Sequence, residues 1–163
     1  MSDTTALLER LVGFDTVSRH SNLELIAFIE RYLAEHDVPF TRIDNDDGSK
    51  ANLLARIGPE VAGGVVLSGH TDVVPVDGQP WSSDPFTLTD KGDGRLYGRG
   101  SCDMKGFIAA AMAVAPRYAA RDLTRPLHFS FTYDEEVGCL GAQQLVEDLA
   151  RMKLRPSVAI IGE

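Results

Sequence analysis

The second half of the chain alternates between short apolar runs and stretches with helical character. Residues 65–68, 127–132 and 158–161 form apolar runs of strand length, and helix-forming residues dominate 104–115 and 142–152 between them. A helix that connects two strands usually returns the chain so that the strands lie parallel in one sheet. This order predicts an α/β fold with a mixed, largely parallel sheet and flanking helices.

The first sixty residues predict two amphipathic helices and a further strand. Apolar residues recur at helical spacing over residues 5–17 and again over residues 21–36. Ser21 and Glu24 match the reciprocal capping pattern that often starts a helix. Residues 52–57 change to the pattern of a short strand. The strands and helices together are enough for one domain.

Composition and charge limit the classes of function. The chain has 163 residues, the usual size of one domain. Its 24 acidic and 16 basic residues give a net charge of −8, which would repel a phosphate backbone, and the basic residues are scattered among acids. Nucleic-acid binding is therefore not expected. The acidic excess either serves solubility or includes carboxylates that cations hold together.

Cysteine usage and hydropathy bear on location. Cys102 and Cys139 form no C-x-x-C pattern, which favours a reducing compartment over a disulfide framework. Neither has an evident histidine partner, so both are interpreted as packing or loop residues rather than nucleophiles. The chain starts without a basic, apolar leader and contains no apolar run of membrane-spanning length. We expect a cytoplasmic protein without a membrane partner.

Side chains that can bind metals follow the predicted strands or precede the predicted central helix. They are His70, Asp72, Asp103, Glu135, Glu136 and Glu163. In an open α/β sheet, ligands bind outside the carboxyl ends of the strands, so these positions are compatible with one site. In an extended segment residues two apart face the same way, so Asp72 can hold the imidazole of His70 and leave its other nitrogen for a metal.

Each of these signals has an ordinary structural interpretation when it is taken alone. A histidine two residues before an aspartate is usually a loop residue near a surface acid, and Asp103 alone would be a helix cap. The adjacent acids Asp134, Glu135 and Glu136 would be solvated loop residues. Their placement at a sheet edge weakens that interpretation, because three neighbouring carboxylates raise one another's pKa unless cations neutralise them.

Four motifs together resemble the co-catalytic zinc amidohydrolase and metallopeptidase family. They are SGHTDVVP at 68–75, LYGRGSCDMKG at 96–106, DEE at 134–136 and IIGE at 160–163. The family includes acetylornithine deacetylases, succinyl-diaminopimelate desuccinylases, aminoacylases and zinc carboxypeptidases. The four motifs occur in order and span the chain from about residue 50 to its end. The resemblance implies the catalytic domain of a zinc-exopeptidase-like enzyme.

The resemblance also implies a set of metal ligands for two divalent ions, zinc or cobalt. His70 and Glu163 would bind one ion, Glu136 would bind the other, and Asp103 would bridge both. A cis peptide bond is implied between Asp103 and Met104.

Two catalytic roles follow from the same resemblance. Glu135 would be the general base that takes a proton from a metal-bridging water and passes it to the leaving amine. Asp72 would orient His70. A carboxylate that binds no metal is suited to moving a proton, and two cations can lower the pKa of a water and polarise an amide. The residues that bind substrate are not identified.

Within the family, three stretches look most like bacterial acetylornithine deacetylases, which hydrolyse N-acetyl-L-ornithine to L-ornithine and acetate in arginine biosynthesis. They are residues 81–86, 103–107 and 133–142. Succinyl-diaminopimelate desuccinylase, or another zinc aminoacylase or carboxypeptidase, is the alternative. In each of these enzymes the partner is a small-molecule N-acyl amino acid substrate. The alternative outside enzymes is a non-catalytic α/β module that keeps the fold and uses its acidic edge only for binding.

Two family features have no counterpart in the chain: the last histidine ligand and the lid or dimerisation domain. Residues 1–163 are therefore expected to be the N-terminal part of the catalytic domain, inactive alone, of an enzyme that is a homodimer at full length.

Overall fold

The structure is a computed structural model that describes residues 3–163, in which four helices and seven strands are found. The helices are α1 (Asp3–Val12), α2 (Leu23–Glu35), α3 (Lys105–Ala119) and α4 (Leu140–Arg151). The strands are β1 (Phe40–Asp44), β2 (Ala51–Ile57), β3 (Val65–His70), β4 (Thr89–Asp90), β5 (Leu96–Tyr97), β6 (Leu127–Thr132) and β7 (Val158–Ile161). No described helix is both long and apolar enough to cross a membrane.

Five strands form one sheet in the order β1-β2-β6-β3-β7, and β4 and β5 form a separate hairpin. β3 pairs in parallel with both β6 and β7, whereas β2 pairs antiparallel with β1 and β6. Four of the five strands therefore run in one direction, and β2 alone is reversed. The predicted mixed, largely parallel sheet is confirmed.

The hydrophobic core lies between one face of the sheet and helices α1, α2 and α3. It joins Leu11 of α1, Leu25 of α2 and Ile108 of α3 to Phe129 and Phe131 of β6, all of which are fully buried. α4 contacts β2 and β6. The helices hold three parallel strands in place, and the carboxyl ends of these strands form one edge.

Two predicted helix ends differ from the structure. The first helix ends at Val12 rather than at residue 17, and Val17 instead forms a bridge with Val73. The capping box is wrong: Asn22 is the N-cap of α2, and Ser21 donates a hydrogen bond to the carbonyl oxygen of Ser49. Val17 therefore lies against the loop that follows β3, and Ser21 lies against the turn before β2.

Candidate metal centre

The predicted site residues lie at the edge formed by the carboxyl ends of β3, β6 and β7. β3 ends at His70, and Thr71 of the next turn donates its backbone N–H to the carbonyl oxygen of Thr132 at the end of β6. The sheet register places His70 directly opposite Thr132. Gly162 follows β7 and donates its N–H to the carbonyl oxygen of Ser68. The three loops therefore begin side by side.

His70 is buried, with 1% of its surface exposed, and both ring nitrogens face oxygen atoms. Nδ1 lies 2.9 Å from the backbone carbonyl oxygen of Asp72 and 3.4 Å from its carboxylate. Nε2 lies 3.0 Å from Oδ1 of Asp103 and 3.9 Å from carboxylate oxygens of Glu135 and Glu163. Burial lowers the pKa of His70, but the contacts with Asp72 and Asp103 outweigh it and raise the pKa to about 9.

Asp72 holds more than the histidine. Its Oδ1 accepts the backbone N–H of Glu135 at 3.0 Å, and its Oδ2 accepts the Ser18 hydroxyl at 2.7 Å and the N–H of Glu136 at 3.3 Å. Burial opposes ionisation of Asp72, but its contacts with His70, Ser18 and Glu135 lower its pKa overall. The residue therefore stays ionised and ties together three separate segments.

Asp103 reaches the site from the turn that precedes α3. The next residue, Met104, is buried, and its Sδ accepts the N–H of His70 at 3.1 Å. A Cβ atom on Gly69 would lie 3.0 Å from the methyl carbon of Met104, so glycine allows the turn to approach β3 closely. The peptide bond between Asp103 and Met104 is cis, which confirms the expectation. The Asp103 side chain is 57% exposed and faces the imidazole.

Lys105 is the second residue after Asp103 and is fully buried. Its Nζ donates a hydrogen bond to the carbonyl oxygen of Phe14 at 2.7 Å. Burial lowers the pKa of Lys105 to about 7, against the opposing attraction of Asp15 and Asp72. The contact with Phe14 fixes the start of α3 to the segment that follows α1.

Glu135 and Glu136 lie on the loop between β6 and α4. The carbonyl oxygen of Glu135 accepts the N–H groups of Gly138 and Cys139, which closes the loop into a tight turn. Burial and the charge of Asp103 raise the pKa of Glu136, although the nearby His70 opposes this. A carboxyl that is crowded by other acids is stabilised in its ionised form by a cation.

Glu163 follows Gly162, whose backbone lies against the ring of Phe107 on α3. A Cβ atom on Gly162 would lie 2.0 Å from Cγ of Phe107, so a larger residue cannot occupy this position without movement. The close approach brings the Glu163 carboxylate to the same imidazole that Asp103 faces.

Among the described residues, two sets of donor atoms are arranged so that they could hold a metal ion. One set is His70, Glu135 and Glu163, and the other is His70, Asp103 and Glu136; within each set one ligand atom per residue lies within 4.8 Å of the others. The structure thus gathers all six predicted site residues at one edge. It differs from the expected grouping because His70 belongs to both sets and Glu135 is among the donors.

Two residues of the site have no signal in the sequence: Ser18, which is buried, and Lys50, whose side chain is 13% exposed. Ser18 contacts Asp72 from 54 positions away, and Lys50 contacts Asp134 from 84 positions away. A serine and a lysine in polar loops match no motif, so only the folded arrangement identifies them.

Comparison with known proteins shows which family the chain resembles. A model of the peptidase family M20/M25/M40 matches residues 66–163. The acetylornithine deacetylase of Shigella sonnei (strain Ss046) is 42% identical over 150 residues, which cover 88% of this chain and 36% of that protein.

Solved structures with this fold include two peptidases. Human carnosine dipeptidase 1 has a TM-score of 0.81 and 28% identity, over 97% of this chain and 37% of its own. The M20 family metallo-carboxypeptidase Sso-CP2 from Sulfolobus solfataricus has a TM-score of 0.82 at 21% identity, over 99% of this chain and 37% of its own, and shares the fold. The chain spans little more than a third of the length of these relatives.

Proposed function

We propose a substrate for this chain, which belongs to peptidase family M20/M25/M40 and is therefore part of a metal-dependent hydrolase. The proposal is that the enzyme hydrolyses N-acetyl-L-ornithine to L-ornithine and acetate. The observation that carries the proposal is that Asp103, Glu136 and Glu163 gather around the imidazole of His70, with Glu135 beside them. The choice of substrate rests on the 42% identity to an acetylornithine deacetylase.

The donor set fits hard or borderline divalent ions such as zinc or cobalt. It consists of one imidazole and several carboxylates, which are the ligands of catalytic zinc sites. His70, Asp103 and Glu163 would hold one ion, and Asp103 and Glu136 would hold the other. Bound there, the cations would polarise the amide carbonyl and make water more acidic.

Glu135 is assigned the proton transfers. Its side chain is 35% exposed, so water and substrate can reach it, and its carboxylate lies 3.9 Å from Nε2 of His70. As the oxygen of a water bonds to the amide carbon, Glu135 takes one proton from that water. The same proton passes to the amine nitrogen as the carbon–nitrogen bond breaks, which yields acetate and ornithine.

Asp72 is assigned the orientation of both His70 and Glu135. It presents its carbonyl oxygen and carboxylate to Nδ1 of His70, which leaves Nε2 for a metal. It also accepts the N–H of Glu135, so one residue sets the distance between the ligand and the base.

The wider assignment concerns the whole protein. Residues 1–163 would form the N-terminal part of the catalytic domain, with the last histidine ligand and the lid in the rest of a homodimeric enzyme, and would be inactive alone. Cys102 and Cys139 are free, which is compatible with the reducing cytoplasm where arginine is made.

The test is a substrate comparison with the full-length, metal-loaded enzyme. N-acetyl-L-ornithine, N-succinyl-L,L-diaminopimelate and a dipeptide are assayed at the same enzyme and metal concentrations. We expect kcat/KM to favour N-acetyl-L-ornithine by at least about 100-fold, the discrimination that a few pocket contacts supply. A preference for the succinyl compound or the dipeptide would overturn the assigned substrate, but the assignment as an amidohydrolase would stand. No hydrolysis of any of them would overturn the proposal.

A further inference from the structure

The ammonium group of Lys50 links two segments of the site, although the residue itself directly precedes β2. Nζ donates to the carbonyl oxygen of Ser18 and to Oδ1 of Asp134, each at 2.5 Å. Only 13% of the Lys50 side chain and 10% of the Asp134 side chain are exposed. Such a pair is held in one geometry because little water can compete for either charge.

The partner Asp134 is directly before the proposed base. Its backbone has a φ of 54°, a left-handed conformation that needs support from the surroundings in a residue other than glycine. The turn at Asp134 aims the N–H groups of Glu135 and Glu136 at Asp72. A contact that fixes the Asp134 side chain therefore helps to fix the positions of Glu135 and Glu136.

The other partner, Ser18, is bound to Asp72 itself. Its hydroxyl donates to Asp72 and its N–H donates to the carbonyl oxygen of Val73. Lys50 and Asp72 thus form hydrogen bonds to the same two segments, which are Ser18 and the loop of residues 134–136. Lys50 also supplies a positive charge next to a loop with three consecutive acids, where repulsion would otherwise favour opening.

We infer that Lys50 is a positioning residue of the hydrolase, which clamps the loop of residues 134–136 onto Asp72 so that Glu135 reaches the substrate in one fixed place. The inference rests on the proposed function for the role of Glu135. The clamp itself consists of the contacts of Lys50 with Ser18 and Asp134. A displacement of about 1 Å in a reacting group is enough to cost on the order of 100-fold in rate.

The first measurement follows the loop without using activity. In metal-free full-length protein, amide hydrogen exchange is compared between wild type and Lys50→Met. We expect the amides of Glu135 and Glu136 to exchange at least about tenfold faster in the variant, because their bonds to Asp72 open locally. The amides of Phe129 and Phe131 in β6 should keep their protection.

The second measurement separates kcat from KM. In Lys50→Met we expect kcat to fall by about 10–100-fold with little change in KM, because the base moves and the substrate contacts do not. Lys50→Arg keeps the charge and a donor, and should recover most of the loss. Two controls leave the clamp intact: Lys91→Met removes a lysine that contacts Ser82, and Leu145→Ala removes packing from α4. Both should retain kcat.

A buried Asp134 without its partner could prevent Lys50→Met from folding, so the double variant Lys50→Met/Asp134→Asn removes both charges together. It should fold, and it should still show fast exchange at Glu135 and Glu136 and a low kcat. Wild-type exchange and wild-type kcat in the folded variants would overturn the inference. Hydrogen exchange needs no substrate, so it tests whether Lys50 holds the loop of residues 134–136 even if N-acetyl-L-ornithine is not hydrolysed.

Discussion

The carboxylate of Asp72 accepts the backbone N–H of Glu135 at 3.0 Å, and the carbonyl oxygen of the same aspartate faces Nδ1 of His70 at 2.9 Å. The loop after β6 is therefore registered against the loop after β3 by one buried side chain. The proposed metal ligand His70 and the proposed base Glu135 are thus bound to the same residue, which fixes the distance between them.

Changing Glu135 to Gln should nearly abolish turnover and leave metal content almost unchanged. The amide keeps the shape and the backbone bond to Asp72 but cannot take a proton. General acid–base participation contributes about 10²–10⁴-fold, so kcat should fall by at least that order. The assay uses N-acetyl-L-ornithine with metal content confirmed by elemental analysis. Near wild-type turnover with a full metal complement would show that Glu135 is not the base.

Changing the adjacent Glu136 to Gln should instead lower the metal content of the protein. A neutral amide is a poor ligand, so we expect about one metal ion per protein to be lost, with activity that partly returns at high metal concentration. The contrast with Glu135→Gln is the control, since both variants remove one charge from the same loop. Full metal content in purified Glu136→Gln, measured by elemental analysis, would contradict a ligand role.

The strands of the site could be predicted because each is a short apolar run with a polar site residue at its carboxyl end or within a few residues of it. Once the strands after residues 65, 127 and 158 are taken as parallel, their carboxyl ends must meet, and His70 and Glu163 come together for that reason. This part of the arrangement follows from local pattern and sheet chirality.

Other features could not be predicted because distant contacts decide them. Ser21 and Glu24 match a capping box, but Asn22 takes the cap position while its side chain binds Ala51 and Thr71 across the fold. The sequence does not predict β1, because its residues are mostly exposed and carry no apolar alternation that distinguishes a strand. Ser18 and Lys50 enter the site through contacts that no local pattern encodes.

Changing Gly162 to Ala should weaken metal binding through a purely steric effect. The added Cβ would meet the Phe107 ring at 2.0 Å, so the backbone that carries Glu163 has to shift away from Phe107. We expect metal affinity, measured by titration calorimetry, to fall by about tenfold or more, the usual cost of disturbing the support of a ligand. Gly162→Ala/Phe107→Ala removes the clash and should restore affinity. If affinity stays low in the double variant, steric displacement of Glu163 is not the cause.

Stability should depend on pH through His128, which lies at the end of β6 remote from the site. The residue is 3% exposed, and its Nδ1 has no hydrogen-bond partner among the described residues. Burial, with the charge of Arg56 added, lowers the pKa of His128 below its ordinary value of 6.5. The folded protein thus keeps this histidine neutral at a pH where the unfolded chain protonates it.

The sign follows from this difference in bound protons. Below pH 6.5 the unfolded chain binds a proton at His128, whereas the folded chain keeps this residue neutral. The free energy of unfolding therefore decreases as the pH falls from 7 to 5. One proton gives a slope of at most about 1.4 kcal/mol per pH unit. In His128→Gln this contribution disappears, and urea denaturation at pH 8, 6.5 and 5 should show wild type losing stability relative to the variant. Parallel stability curves for the two proteins would mean that His128 titrates alike in both states, and that its burial does not keep it neutral.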